Sequence, residues 1–199
     1  MSLIVSEGGG KDFAPIPAGT YVAVCYGVVD LGKQYNEKFG TSSNKVMLMW
    51  EFPDEMEEGQ ELPRTFSQRY TASLNAKSKL RKDLVAWRGR EFTDAELAEF
   101  NLANILGVPC QIQIIHRENN GKVYANMSAI MALPKGMPRP QPKHQLITFD
   151  LTEDDLSLLD DMPEWIANII KESETYKERV NGGGAKELPN DDLGEDCPF

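Results

Sequence analysis

At 199 residues, with 41% hydrophobic content, the chain is sized for one domain plus appendages and has enough apolar residues for an ordinary core. No stretch approaches the ~18 apolar residues of a membrane span, and the first residues lack a charged-then-apolar leader. A soluble, intracellular protein without membrane partners is expected. The net charge of −10 is unevenly spread: residues 1–149 hold 17 basic against 16 acidic side chains, net +1, and residues 150–199 hold 4 against 15, net −11. A basic body and an acidic tail are two separate electrostatic objects. Cys25, Cys110 and Cys197 are far apart, and His116 and His144 are isolated, so neither a disulfide framework nor a zinc site is suggested and no cofactor is expected.

The first 16 residues, with Gly8, Gly9 and Gly10 together, read as a flexible arm. Gly19 to Gly32 (GTYVAVCYGVVDLG) is a β-branched and aromatic run, and Gly27 in its middle predicts a bulge or bend in a first strand. Gln34 to Asn44 is polar and reads as a loop. From Lys45 to Pro53 a second strand alternates, with Val46, Leu48, Trp50 and Phe52 on one face and Met47, Met49 and Glu51 on the other. Asp54 to Glu61 is an acidic turn, and a third strand runs from Arg64 to about Leu74 with Phe66, Tyr70 and Leu74 on one side.

The period then changes. Ala76 to Trp87 places Leu80, Leu84 and Trp87 at helical spacing, and Gly89 ends the helix. Between Arg64 and Arg90 eight cations stand against Asp83 alone. Thr93 opens a short helix with Glu96 three residues on, a capping box. Two strands follow, Cys110 to Arg117 and Lys122 to about Leu133, joined through Asn120-Gly121, a strong hairpin signal. Three strands, a helical insert and a hairpin make a mainly β fold, and the order matches a five-stranded oligonucleotide-binding (OB) barrel over residues 17–133.

Residues 134–145 (PKGMPRPQPKHQ) contain four prolines and read as an extended, semi-rigid linker. Residues 146–180 form an acidic helical extension: Thr152 caps a short helix, and Pro163 starts another, Glu164 to about Val180. Its stripe of Trp165, Ile166, Ile169 and Ile170 packs on the barrel or on a second copy of the chain, which leaves a homodimer open. Residues 181–199, led by Gly182, Gly183 and Gly184, form a flexible acidic tail.

Single strands are held by cations along the phosphate path and by flat side chains on which bases stack. In an OB barrel the face of strands 2 and 3 and the loops joining strands 1–2 and 4–5 form the groove. Here those places hold Lys33, Tyr35, Lys38, Phe39 and Lys45, then Arg64, Arg69 and Tyr70, then Arg117, Lys122 and Tyr124. Trp50, Phe52 and Phe66 alternate with apolar neighbours and belong to the core. The basic helix adds Lys77, Lys79, Arg81, Lys82 and Arg88, some of them facing phosphate. An enzyme is not expected. Glu51, Asp54, Glu55, Glu57 and Glu58 are the carboxylate cluster that a metal-dependent nuclease would use, and a strand-end turn rich in acids is ordinarily solvated.

The chain ends in DDLGEDCPF, an apolar Pro-Phe tip on an acidic lead. With GTYVAVCYGVVDLG, KSKLRKDLVAWRG, FTDAELAEF and NNGKVYANMSAI, this ending resembles bacteriophage and prophage single-stranded DNA-binding proteins of the OB type. The resemblance implies non-sequence-specific coating of single-stranded DNA in replication or recombination, in the cytoplasm of a bacterial host. It also implies that Asp191, Asp192, Glu195, Asp196, Pro198 and Phe199 recruit replication or recombination proteins. Cys197 stands where the family usually has an apolar residue. An adaptor of a replication complex that never touches DNA is the alternative.

Overall fold

The computed structural model describes residues 15–57 and 59–182. The six acidic and Pro-Phe residues of the tip lie outside them, as does most of the N-terminal arm. The described chain is mainly β with several helices. Its strands are β1 (Gly19–Asn36), β2 (Thr41–Met56), β3 (Pro63–Thr71), β4 (Pro109–Asn119), β5 (Lys122–Ala132) and β6 (Ile147–Phe149). Hydrogen bonding orders them β3-β2-β1-β4-β5, with β6 added alongside β1. The β2–β3, β1–β4 and β4–β5 pairs are antiparallel, β6 runs parallel to β1, and the path is open, with β3 and β5 at its ends.

Besides β2, the β-branched run of β1 serves two further neighbours. Gly19 to Val24 pair with β4, and Gly27 to Val29 pair with β6. Gly27 sits just past the change of partner, where a Cβ would come within 2.2 Å of the Met49 ε-methyl and 3.2 Å of Met49 Cβ. A side chain here would have to displace Met49, so the glycine suits the close approach. On β2 the expected alternation holds, but both faces are buried: Val46, Leu48, Trp50 and Phe52 enter the main core, and Met47, Met49 and Glu51 are covered on the other side. The β4–β5 connection is the two-residue Asn-Gly turn, both residues at positive φ (51° and 73°), which suits a type I′ hairpin.

Helix α1 (Lys79–Arg88) buries Leu80, Leu84 and Trp87 and ends at Gly89, whose φ of 68° is the left-handed conformation of a helix stop. It packs against β5 and β3, and Trp87 meets Trp50 at 6.0 Å between ring centroids. Thr93 and Glu96 make the expected capping box on α2 (Asp94–Ala98). Ile16, assigned from sequence to the loose arm, is buried in this core, and its carbonyl lies 2.8 Å from His116 Nε2.

The Pro-rich stretch, read as a spacer, ends docked on β2. The Glu51 carboxylate is fully buried. It accepts the backbone N–H groups of Lys143 and His144, both at 2.7 Å, and lies 2.6 Å from His144 Nδ1. The His144 ring stacks on Tyr26 with centroids 4.8 Å apart.

The chain divides into two compact units: residues 15–30 with 45–149, and 31–44 with 150–182. In the second, the expected single helix is two, α3 (Glu164–Glu172) and α4 (Glu174–Gly182). Ser173 interrupts them with an extended backbone; its buried hydroxyl donates to the Ile170 carbonyl and accepts the Tyr176 N–H. Ile166, Ala167 and Ile170 are buried, whereas Trp165 from the predicted stripe is exposed. Thr152 does not cap a helix. Asp155 does, accepting the Ser157 N–H at the head of a short 3-10 turn, while the Thr152 hydroxyl donates to Asp150.

Candidate nucleic-acid interface

Four of the residues expected to bind strands lie in the second unit. The predicted loop from Gln34 to Asn44 is mostly strand: β1 continues to Asn36, β2 begins at Thr41, and only the turn between is irregular. Ladder pairing holds these polar residues in a strand without an apolar face, so periodicity could not reveal it. Lys33 is tied at 2.8 Å to Glu174, which also accepts the Ser42 hydroxyl. Lys33, and then Ser42, hold the Glu174 carboxyl below its ordinary value. Tyr35 and Phe39 are 60% and 69% exposed, and Lys38 Nζ lies 5.7 Å from the Phe39 ring centroid.

In the first unit the predicted residues fall into three groups. Tyr70 is core. Its hydroxyl donates to Asp83 at 2.8 Å, and burial, then the Asp83 charge, raises its pKa far above the usual phenol value. The aromatic β-pattern of this strand has two faces, and Tyr70 sits on the inner one with Phe66. Arg69, one residue earlier, is exposed on the outer face opposite Met47, and Lys45 donates to the Thr71 hydroxyl at 2.8 Å.

The cations of the basic helix are largely engaged. Lys79 bonds Asp83 and lies over the Tyr70 ring; Arg81 donates to the Leu74 carbonyl and lies 3.7 Å from Glu91. Arg88 and Arg90 both bond Glu96, whose carboxyl is held down to about 2 by Arg90, by the Thr93 N–H and by Arg88. Lys77 and Lys82 are exposed and, among the described residues, make no ion pair. Charge counting over the basic run could not see the pairings of Arg81, Arg88 and Arg90, because Glu91 and Glu96 lie just beyond it.

The third group is brought together by the open ends of the sheet. A cleft of about 1080 Å³ is lined by β3, through Arg64 and Phe66, and by β5, through Lys122 and Tyr124. Arg64 is paired with Glu57 at 3.0 Å. Phe66 rests on Trp50, centroids 6.4 Å apart, and stays partly exposed. Tyr124 is 48% exposed and sits directly across the hairpin from Arg117, so an open aromatic face and a guanidinium share one side of β4–β5. Lys122 pairs with Asn119 at the hairpin's end. Sequence reasoning missed His144 and Leu62, which also line the cleft; both come from segments without regular structure, which carry no periodic signal.

Neither Glu51 nor Glu57 is a free carboxylate. The first is enclosed by three nitrogen donors, the second paired with Arg64. Cys25 and Cys110 are free and buried, and burial pushes the Cys25 thiol up to about 12, so it is no nucleophile at neutral pH. No helix among the described residues is long and apolar enough to cross a membrane. No family model matches the chain, and no curated protein matches it.

Proposed function

We propose that the chain binds single-stranded DNA without reading base edges, as the resembled phage proteins do, and that its acidic Pro-Phe tip recruits replication or recombination proteins. The observation that carries this reading is the cleft between the ends of the sheet. Lys122 and neighbouring Arg117 supply cations, Arg64 adds a third that Glu57 pairs within the cleft, and Phe66 and Tyr124 supply aromatic faces, on strands far apart in sequence. That mixture is what a single strand requires, phosphate attraction with sequence-tolerant stacking. The element order and the cleft between the sheet edges β3 and β5 support an OB-type barrel left partly open. A second reading, an adaptor that does not touch DNA, draws on the ion-paired state of most cations on α1.

Fluorescence anisotropy with labelled oligo-dT and a duplex of equal length, at two salt concentrations, tests the proposal. Strand-selective, salt-sensitive binding is expected. Tyr124→Ala should weaken it by about 1–3 kcal/mol, the worth of one stacked base. Absence of strand binding at low salt, with the tail also removed, would transfer the assignment to the adaptor.

A further inference from the structure

Behind α1 the first unit holds a second cavity, of about 440 Å³, in which three arginines meet one carboxylate. Arg88 ends the helix, Arg90 follows the left-handed Gly89, and Arg139 comes from the Pro-rich stretch. Glu96 takes Arg88 through Nη2 and Arg90 through both terminal nitrogens, at 2.7 and 2.9 Å. The Arg88 guanidinium is further fixed 4.3 Å from the Phe92 ring centroid and 5.2 Å from that of Phe100. Yet its Nη1 is buried without a hydrogen-bond partner among the described residues. A buried cationic donor with no acceptor is costly, and the guanidinium groups open to an entering anion are those of Arg90 and Arg139. Arg139 is exposed and has no ion pair among the described residues.

Charge and shape narrow the ligand. The lining carries three guanidinium groups and one carboxylate, net +2. A phosphate monoester carries about −1.5 to −2 at neutral pH and balances it, whereas an internal phosphodiester carries one charge and leaves a surplus. Guanidinium forks suit the oxygens of phosphate. The remaining wall is mostly apolar, through Phe100, Ile105, Val108 and Leu133, with Asn104 as a polar member, and suits an organic body better than a hydrated ion. We propose that this cavity binds a nucleoside monophosphate group, with the phosphate on Arg90 and Arg139 and the nucleoside against the apolar wall. The group comes either as a free nucleotide or as the phosphorylated end of a strand. The site is separate from the β3–β5 cleft and does not depend on the single-strand reading.

Isothermal titration of the full chain with thymidine 5′-monophosphate, thymidine and inorganic phosphate tests it directly. The monophosphate should bind more tightly than phosphate, and thymidine should not bind. Arg139→Ala removes an exposed side chain and should weaken monophosphate binding about tenfold with an unchanged melting temperature. Arg90→Ala provides a second, independent variant with the same expected direction. Oligo-dT bearing a 5′-phosphate, compared with the 5′-hydroxyl form, separates the sources. Tighter binding of the phosphorylated strand, lost in Arg139→Ala, assigns the site to strand ends; equal binding of both strands, with the nucleotide still bound, assigns it to free nucleotides. No heat with the monophosphate, or affinity untouched by both arginine variants, overturns the site. Equal affinity for phosphate and the monophosphate overturns the role of the apolar wall.

Discussion

Replacing Glu51 by Leu isolates the clasp that holds residues 143 and 144 on β2. The carboxylate is fully buried and meets two backbone N–H groups at 2.7 Å and an imidazole nitrogen at 2.6 Å. Leucine fills a similar volume but accepts nothing, so up to three donors lose their partner. Each orphaned buried donor costs about 1–3 kcal/mol. The irregular segment can lift to find water, which limits the total, and removing one side of a buried charged network typically costs about 3–5 kcal/mol. With a urea m-value of about 2 kcal/mol/M, that is a midpoint shift of roughly 2 M. Tryptophan fluorescence reads the transition, since Trp50 and Trp87 lie in the main core. Glu51→Gln keeps one acceptor and should lose less. A loss below about 1 kcal/mol for Glu51→Leu would refute the clasp as a stabilising feature. If instead Glu51→Ala abolished magnesium-dependent DNA cleavage while stability stayed unchanged, the nuclease reading would stand.

Three further outcomes follow from the geometry. Gly27→Ala should cost about 1–3 kcal/mol through overpacking against Met49, and the penalty should shrink in a Met49→Ala background; equal penalties in both would deny the contact. Leu84→Ala, at a buried α1 position, should cost about 2–5 kcal/mol in chemical denaturation, and near-neutrality would remove α1 from the core. The Glu96 carboxyl is depressed from 4.5 to about 2 in the folded chain, so its contribution is complete above about pH 4.5 and lost as pH falls through about 2. Glu96→Gln should therefore lower the melting temperature at neutral pH and flatten that part of the acid limb. Asp150, Asp155 and Glu174, also depressed, contribute to the slope that remains, and an identical slope in the variant would dissociate Glu96 from it.

Elements with a strong local code were legible. The Leu80, Leu84 and Trp87 spacing, Gly89 and the Thr93–Glu96 box located two helices, and Asn120-Gly121 located a hairpin. β6 was not legible, because three residues are too few to alternate and its partner, β1, lies more than a hundred residues away. The sequence pattern runs through Ser173 as one helix, but the backbone departs from the helix there, and the buried hydroxyl meets groups on both sides of the break. At the candidate site, the sequence brought basic and aromatic residues forward but could not sort buried from open ones. Tyr70 and Tyr124 look alike in a list of strand aromatics, yet one is sealed beside Asp83 and the other stands open beside Arg117. Likewise Arg88 and Arg117 are equal as charges, and only folding binds the first to Glu96.

The clasp also sets an order of events in synthesis. Glu51 leaves the ribosome 92 residues before the first of its donors. Until Lys143 and His144 emerge, β2 has no means of satisfying that carboxylate in a buried position, so the strand's outer face must stay wet while its inner face can already gather Trp50 and Phe52 into the core. The hydrogen bonding of the first unit is therefore expected to close only after the prolines have passed. A fragment ending short of residue 143 would contain all five strands of the main sheet path and still lack the two backbone groups that close it.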